Sequence, residues 1–212
     1  MLGKVSLFAN VPQSQIEELE GLCVARRYAK NTVLFMEGDE NNQLFVIRSG
    51  KVSVFVQGDD GKQLILNYMS EGDYFGELSL IDSRPRSASI MTVTDCEFLT
   101  MSRERFQEFI TSSPELCMTL LQELTGRVRK LTQSVKDLAL LDVYGRVAHT
   151  LEKMCDENKI IRDPKPTHQD IANMVGSSRE MVSRIMKELI IGEYISQKAD
   201  AIQICKPLPK GW

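Results

Sequence analysis

The chain has two histidines in 212 residues, His149 and His168. No nucleophile–base–orienter pattern surrounds either, so hydrolytic and group-transfer chemistry of the serine or cysteine type has no place to sit. The five cysteines, Cys23, Cys96, Cys117, Cys155 and Cys205, are scattered, with no pair at metal-ligand spacing. They read as small buried hydrophobes. No apolar run approaches the length of a membrane span, and the N-terminus lacks the basic-then-apolar pattern of an export signal. The expectation is a cytoplasmic protein without a membrane partner. A large charge of one sign is missing too, the net being −3.

Hydrophobic residues make up 42% and charged residues 26%, an ordinary globular balance, and the length suits two domains. Divided along the chain, the charge is uneven: residues 1–141 sum to −4 and residues 142–212 to +1. That allows a local basic face at the back.

The longest feature is a helical stretch from Pro114 to about Leu140. Ser113 suits the cap and Pro114 the first helical position, where a missing N–H costs nothing. Its apolar residues are Leu116, Leu120, Leu124, Val128, Leu131, Val135 and Leu138, a heptad pattern from Leu124 onward. Such a helix is ~40 Å long, too long for a small domain. The reading is a homodimer helix with one domain before it and one after, an ordinary amphipathic core helix being the alternative. Gly126 favours that alternative slightly, since glycine costs a helix interior about 1 kcal/mol against alanine.

Before the helix, Pro12, Ile16, Leu19 and Leu22 suggest a short opening helix ending near Gly21. Residues 32–102 then break into β-type runs: Thr32–Met36, Leu44–Arg48, Val52–Gln57, Gln63–Tyr68, Ala88–Thr92 and Glu97–Met101. Turn signals at Gly38, Gly50, Gly58-Asp59-Asp60-Gly61 and Gly72 separate them. Many short strands indicate a small β-barrel or jelly roll. Val52 to Val56 alternates as though one face pointed inward. Ser102 starts a brief helix carrying Phe106, Phe109 and Ile110.

Within this region, the segment from Tyr74 to Ala88 concentrates chemistry. Gly76 permits close backbone approach, and a helical turn after it would present free N–H groups. Glu77 suits a sugar hydroxyl, Arg86 a phosphate, and Ser87 adds a hydroxyl. An Arg86–Glu77 ion pair bracing a turn is the alternative. Arg127 and Arg129 read as solvated, with a place around a ligand as their second reading.

After the helix, Asp142 caps a helix through Val143, Val147, Leu151 and Met154. The stretches Asp156–Lys159 and Pro164–Pro166 form a loop. Thr167-His168-Gln169-Asp170 opens the next helix with a capping-box pattern, burying Ile171, Ala172 and Val175. Gly176 allows a tight turn, and Ser177-Ser178-Arg179-Glu180 begins a second helix burying Val182, Ile185 and Leu189. Two short helices about a glycine turn fit helix-turn-helix geometry. Arg179, Glu180, Ser183 and Arg184 share the exposed face; arginine forks suit guanine, and glutamate accepts from cytosine. Glu180 as the return half of a capping box from Ser177, or paired with Arg184, is the alternative. Thr167 and Ser177 stand where helix N-termini touch phosphates, with His168 and Gln169 near them, and His168 reads equally as part of a capping turn. Ile195-Ser196 and Ala201–Ile204 form a wing.

Phe75-Gly76-Glu77-Leu78 followed by Pro85-Arg86-Ser87-Ala88 resembles the phosphate-binding cassette of cyclic-nucleotide-binding domains. Gly176 to Arg184 resembles the recognition helix of the cAMP receptor protein (CRP/FNR) family, and Leu138 to Val143 its hinge. The resemblance runs end to end. It implies an α+β chain: a cyclic-nucleotide-binding jelly-roll barrel over 1–112, a dimerisation helix and hinge over 113–141, and a winged helix-turn-helix over 142–212. It implies that Glu77 takes the ribose 2′-hydroxyl, that Arg86 and Ser87 hold the cyclic phosphate, and that backbone amides around Gly76 and Leu78 assist. The base-contacting pair of the family falls on Leu131 and Thr132; Thr132 keeps a hydroxyl, whereas Leu131 offers none. The effector implied is a cyclic nucleotide, cAMP first, with cGMP, a cyclic dinucleotide or no ligand as alternatives; no prosthetic group is implied. Arg179, Glu180 and Arg184 would read a TGTGA half-site in double-stranded DNA, twice in a palindrome. RNA polymerase is the partner where such proteins activate, with Arg26, Arg27 and Arg105 resembling a contact patch. The loop 156–166 fits the family's other contact poorly. A haem- or redox-sensing variant would need a ligand or clustered cysteines in the front half, and neither histidine lies before residue 149.

Overall fold

The computed structural model describes residues 2–8, 11–161 and 165–209. Two 3-10 turns, Leu2–Lys4 and Ser6–Phe8, precede helix α1, Gln13–Leu22. The strands that follow are β1 Val24–Tyr28, β2 Val33–Phe35, β3 Gln43–Ser49, β4 Lys51–Gln57, β5 Gln63–Ser70 and β6 Tyr74–Phe75. Then come α2 Glu77–Asp82, β7 Ser89–Thr92, β8 Cys96–Ser102, α3 Arg103–Ser112 and the long α4, Pro114–Leu140. The chain ends with α5 Val143–Met154, β9 Ile160–Ile161, α6 His168–Val175, α7 Arg179–Ile191, β10 Ile195–Gln197 and β11 Ile202–Ile204. Pro164, in the expected loop, lies outside the described residues.

The front strands form two four-stranded sheets, β1-β8-β3-β6 and β2-β7-β4-β5. β3 shows why they pack: successive side chains face opposite ways, and both faces are covered. Phe45 and Ile47 face the second sheet in a core with Phe35, Val52, Phe75, Ile90 and Phe98. Leu44 and Val46 join Tyr74, Leu80, Phe106, Leu116 and Leu120 beneath the helices. Rings fill the inter-sheet core; Phe45 stacks on Phe75 at 5.1 Å, and Phe98 stands edge-on to both.

Gly50 is the corner where the chain leaves β3 in one sheet for β4 in the other. Its φ is +96°, and a Cβ there would fall 2.4 Å from the Asp95 carbonyl oxygen. The alternation expected for Val52 to Val56 is broken, since Val52, Ser53 and Phe55 are all buried. Ser53 tolerates this by donating to the Met91 carbonyl at 3.4 Å.

By compactness the chain divides into one unit of Met1–Val56 with Ile65–Val128, and another of Gln57–Leu64 with Arg129–Trp212. α4 crosses the division. Its N-terminus is capped as expected, Leu116 N–H donating to Ser113 Oγ at 3.4 Å. Leu116 and Leu120 are buried, whereas Val128, Leu131, Val135 and Leu138 are exposed on the single chain.

In the second unit, Asp142 caps α5 by accepting from Gly145 N–H at 2.7 Å. Thr167 and Asp170 form the capping box at α6. Gly176 follows at φ +63°, and Ser178 rather than Ser177 caps α7. Val147, Leu151, Ile171, Ala172, Val175, Val182, Ile185 and Leu189 share one core with the β10-β11-β9 sheet. Asp137, near the end of α4, accepts from Gln133 at 2.7 Å and from Lys153 of α5 at 3.1 Å.

The two glycines of contrasting environment give a matched stability test. Gly50→Ala should lower stability by about 2–5 kcal/mol through strain and overlap. Gly126, with nothing within 4 Å of its Cβ position, should gain about 0.5–1 kcal/mol as alanine. Chemical denaturation of the two variants checks the opposite signs.

Candidate cyclic-nucleotide and DNA sites

The cassette begins where β6 turns into α2. Gly76 makes that turn at φ +90°, and a Cβ would lie 2.4 Å from Arg86 Nη1 and 2.8 Å from the Gln43 carbonyl oxygen. Only glycine fits. The close approach is used: Arg86 Nη1 donates to the Gly76 carbonyl at 2.7 Å and to Ser79 Oγ at 2.8 Å, and Nη2 donates to Asn41 Oδ1 at 2.7 Å and the Gln43 carbonyl at 2.6 Å. The guanidinium also lies over the Phe35 ring, 4.3 Å from its centre. Burial pulls Arg86 down to about 10, with Glu77 opposing and Arg103 assisting.

Arg86 is 4% exposed, and its Nε is buried without a hydrogen-bond partner. A buried N–H of this kind is costly unless an acceptor arrives. A positive group with one N–H left over, packed into the space that Gly76 leaves, has the chemistry that suits an oxyanion. Ser87 is next in the chain and exposed. Leu78 is 42% exposed.

Glu77 is 1% exposed. The Arg86–Glu77 ion pair held open by the sequence is not formed; Glu77 instead binds Arg127 of α4. The solvated reading of Arg127 is therefore corrected. It also donates to the Tyr74 carbonyl at 3.3 Å and covers the Tyr74 ring at 5.1 Å. Burial raises Glu77 above a carboxyl's ordinary range, and Arg127 opposes the rise. Tyr74 donates its hydroxyl to Glu123, one helical turn before Arg127. Arg103 braces the far end of α2, reaching Ser83 Oγ and the Ser79 carbonyl at 2.8 Å each. Arg129 is exposed. Leu131 and Thr132 are also exposed, and both lie in the second compact unit.

Sequence reasoning missed Tyr74, Ser79, Asn41, Glu123 and Arg103 as partners of the cassette. Their contacts span up to 49 residues, and no local pattern marks them. The i, i+4 spacing of Glu123 and Arg127 was the one available signal.

At the other end, Arg179, Glu180 and Arg184 stand exposed along α7. The Ser177 capping box and the Glu180–Arg184 pair are both absent among the described residues, and Arg184 contacts Met181 Sδ at 3.3 Å instead. Ser183 is half-buried, its Oγ 2.9 Å from His168 Nδ1, which ties the start of α6 to α7. Gln169 donates to Asn173 at 2.8 Å. Thr167 is engaged by Asp170, and the Ser177 N–H by the Ala172 carbonyl.

Comparison with known proteins decides between a resemblance and a relationship. Residues 25–113 match the cyclic nucleotide-binding domain, and residues 145–207 the Crp-like helix-turn-helix domain. The cAMP-activated global transcriptional regulator Vfr of Pseudomonas aeruginosa is 37% identical over 183 residues, covering 82% of this chain and 86% of that protein. The chain belongs to the CRP/FNR family. The cAMP-activated global transcriptional regulator CRP of Pasteurella multocida is 35% identical over 188 residues, 86% of this chain and 90% of its own length. Among solved structures, the c-di-GMP responsive global regulator CLP of Xanthomonas campestris superposes with a TM-score of 0.80 at 28% identity, covering 91% of this chain and 99% of that one. As a CRP/FNR member with both domains, the chain is a cyclic-nucleotide-responsive, DNA-binding transcription regulator and not an enzyme. Among the described residues, no helix is long and apolar enough to cross a membrane.

The Glu77–Arg127 pair makes stability depend on pH. A carboxyl raised in the fold stabilises fully below its ordinary 4.5 and loses that contribution as pH climbs through its folded value. Arg127→Met removes the opposing charge, so it should cost about 1–3 kcal/mol at pH 7, discounted for the solvent contact of Arg127. The deficit should shrink as pH falls toward 4.5. Melting curves across that range check it, and a constant deficit counts against the pair.

Proposed function

We propose that this regulator is gated by cAMP and binds a TGTGA-type palindrome as a homodimer joined along α4. The observation carrying the ligand reading is the cassette itself: a glycine whose missing side chain admits Arg86, a buried guanidinium with a donor in reserve, and a buried carboxylate at Glu77. Together they suit a cyclic phosphate next to a ribose. Glu77 accepts the 2′-hydroxyl, Arg86 and Ser87 hold the phosphate, and backbone amides from Gly76 to Leu78 assist. Leu131 and Thr132 serve the base side, Thr132 from the partner subunit. Relatives named as cAMP-activated support cAMP over other cyclic nucleotides.

The seam from Val128 to Leu138 supports the dimer, because Leu131, Val135 and Leu138, in heptad register, are 44–65% exposed on the single chain. A symmetric dimer would set two α7 helices in successive major grooves. Arg179, Glu180 and Arg184 read bases, with Ser183 beside them, while Thr167, Gln169 and Ser177 meet the phosphate backbone. Arg26, Arg27 and Arg105 form the surface offered to RNA polymerase, and the protein works in the cytoplasm. The likeness to CLP favours a second reading, gating by c-di-GMP.

Calorimetric titration of the wild type and Arg86→Ala with cAMP, cGMP and c-di-GMP separates these readings. cAMP should bind the wild type and lose at least tenfold in the variant. Heat from c-di-GMP alone would favour the second reading, and heat from none would remove nucleotide gating. On DNA, Arg179→Ala should cost about 1–3 kcal/mol on the palindrome and little on unrelated duplex. Equal weakening on every sequence would make Arg179 a phosphate contact.

A further inference from the structure

Tyr74 is gripped at both ends by one face of α4. Glu123 and Arg127, four residues apart, stack on the same side of the helix. Glu123 accepts the Tyr74 hydroxyl. Arg127 takes the other end, donating to the Tyr74 carbonyl at 3.3 Å and lying 5.1 Å over the ring centre. The same guanidinium binds Glu77. Tyr74 and Glu77 are each 1% exposed. With so little solvent contact, the phenol relies on Glu123 and the carboxylate on Arg127.

We propose that Tyr74 and Glu123 are positioning residues for Glu77: they fix the rotation of α4 so that Arg127 holds the Glu77 carboxyl group in place, turned to accept a ribose hydroxyl. This rests on the reading of Glu77 as the 2′-hydroxyl acceptor. Turning α4 about its axis to release Arg127 would also pull Glu123 from the phenol, so the two contacts resist the same motion. Burial and the Glu123 hydrogen bond both push the Tyr74 phenol up, which keeps it a donor at neutral pH. Burial likewise raises Glu77 while Arg127 opposes the rise. When Arg127 drifts, Glu77 gains a proton more readily and becomes a poorer acceptor for the sugar.

The test compares cAMP with 2′-deoxy-cAMP on the full-length protein by calorimetry. Wild type should prefer cAMP by about tenfold or more, as a hydrogen bond to a charged acceptor allows. Tyr74→Phe keeps the ring beneath Arg127 but loses the hydroxyl, and Glu123→Ala loses the acceptor from the helix side. Each should reduce the preference at least threefold, whereas Glu123→Gln, which still accepts, should retain it. A general structural defect would weaken both nucleotides alike and leave the ratio standing. An unchanged ratio in Tyr74→Phe and Glu123→Ala overturns the positioning role; should Tyr74→Phe fail to fold, Glu123→Ala on the helix decides alone. A wild type that does not discriminate, or binds neither nucleotide, removes the ribose reading of Glu77 and this proposal with it.

Discussion

A carboxylate with 1% of its surface exposed needs a counter-charge, and Glu77 finds it 50 residues away on α4. Desolvating such a group costs several kcal/mol unless a partner and hydrogen bonds compensate. That requirement constrains the front of the molecule. β6 must deliver Tyr74 and Gly76 beside α2, and the covering helices must hold α4 where Arg127 reaches the cassette. Leu116 and Leu120, buried under the same cluster as Tyr74 and Leu80, secure this from the apolar side. The long helix is thus anchored to the Gly76–Glu77 turn by packing at its start and by charge at Arg127, immediately before the exposed seam begins at Val128.

Arg86 poses the same problem with the opposite sign. Its guanidinium reaches two carbonyls, a serine and an asparagine, and rests on Phe35, part of the aromatic core between the sheets. The position of this cation is therefore set by the packing of the barrel. This explains why the cassette alone does not make a site: the residues between Gly76 and Arg86 are exposed over most of their length, while those that fix the two ends come from β2, the loop before β3 and α4.

Much of this was legible in the sequence. Caps at Ser102, Ser113, Asp142 and Thr167, and the turns at Gly38, Gly50, Gly72 and Gly176, are local chemistry, and local chemistry is what a sequence displays. The α4 bounds came from one cap and one period. β1 was hidden because it is an edge strand, paired only with β8 and mostly exposed, so Val24 to Tyr28 carries no apolar alternation. β6 and β9, two residues each, are too short to leave a period. Arg127 was misread because its partner is distant in sequence, and a charged residue on an amphipathic helix looks solvated until the neighbouring element is known. The cassette pattern identified Gly76, Glu77 and Arg86 but was silent on Tyr74 and Glu123, which touch it from outside.

Gating requires that nucleotide and DNA each favour the same state of the protein, and such coupling is reciprocal. The direct measurement is the affinity for cAMP with and without a saturating palindromic TGTGA duplex, set against the affinity for that duplex with and without cAMP. Nucleotide gating predicts one common factor in both directions, about 5- to 150-fold. Identical cAMP affinity in the presence and absence of duplex would contradict it.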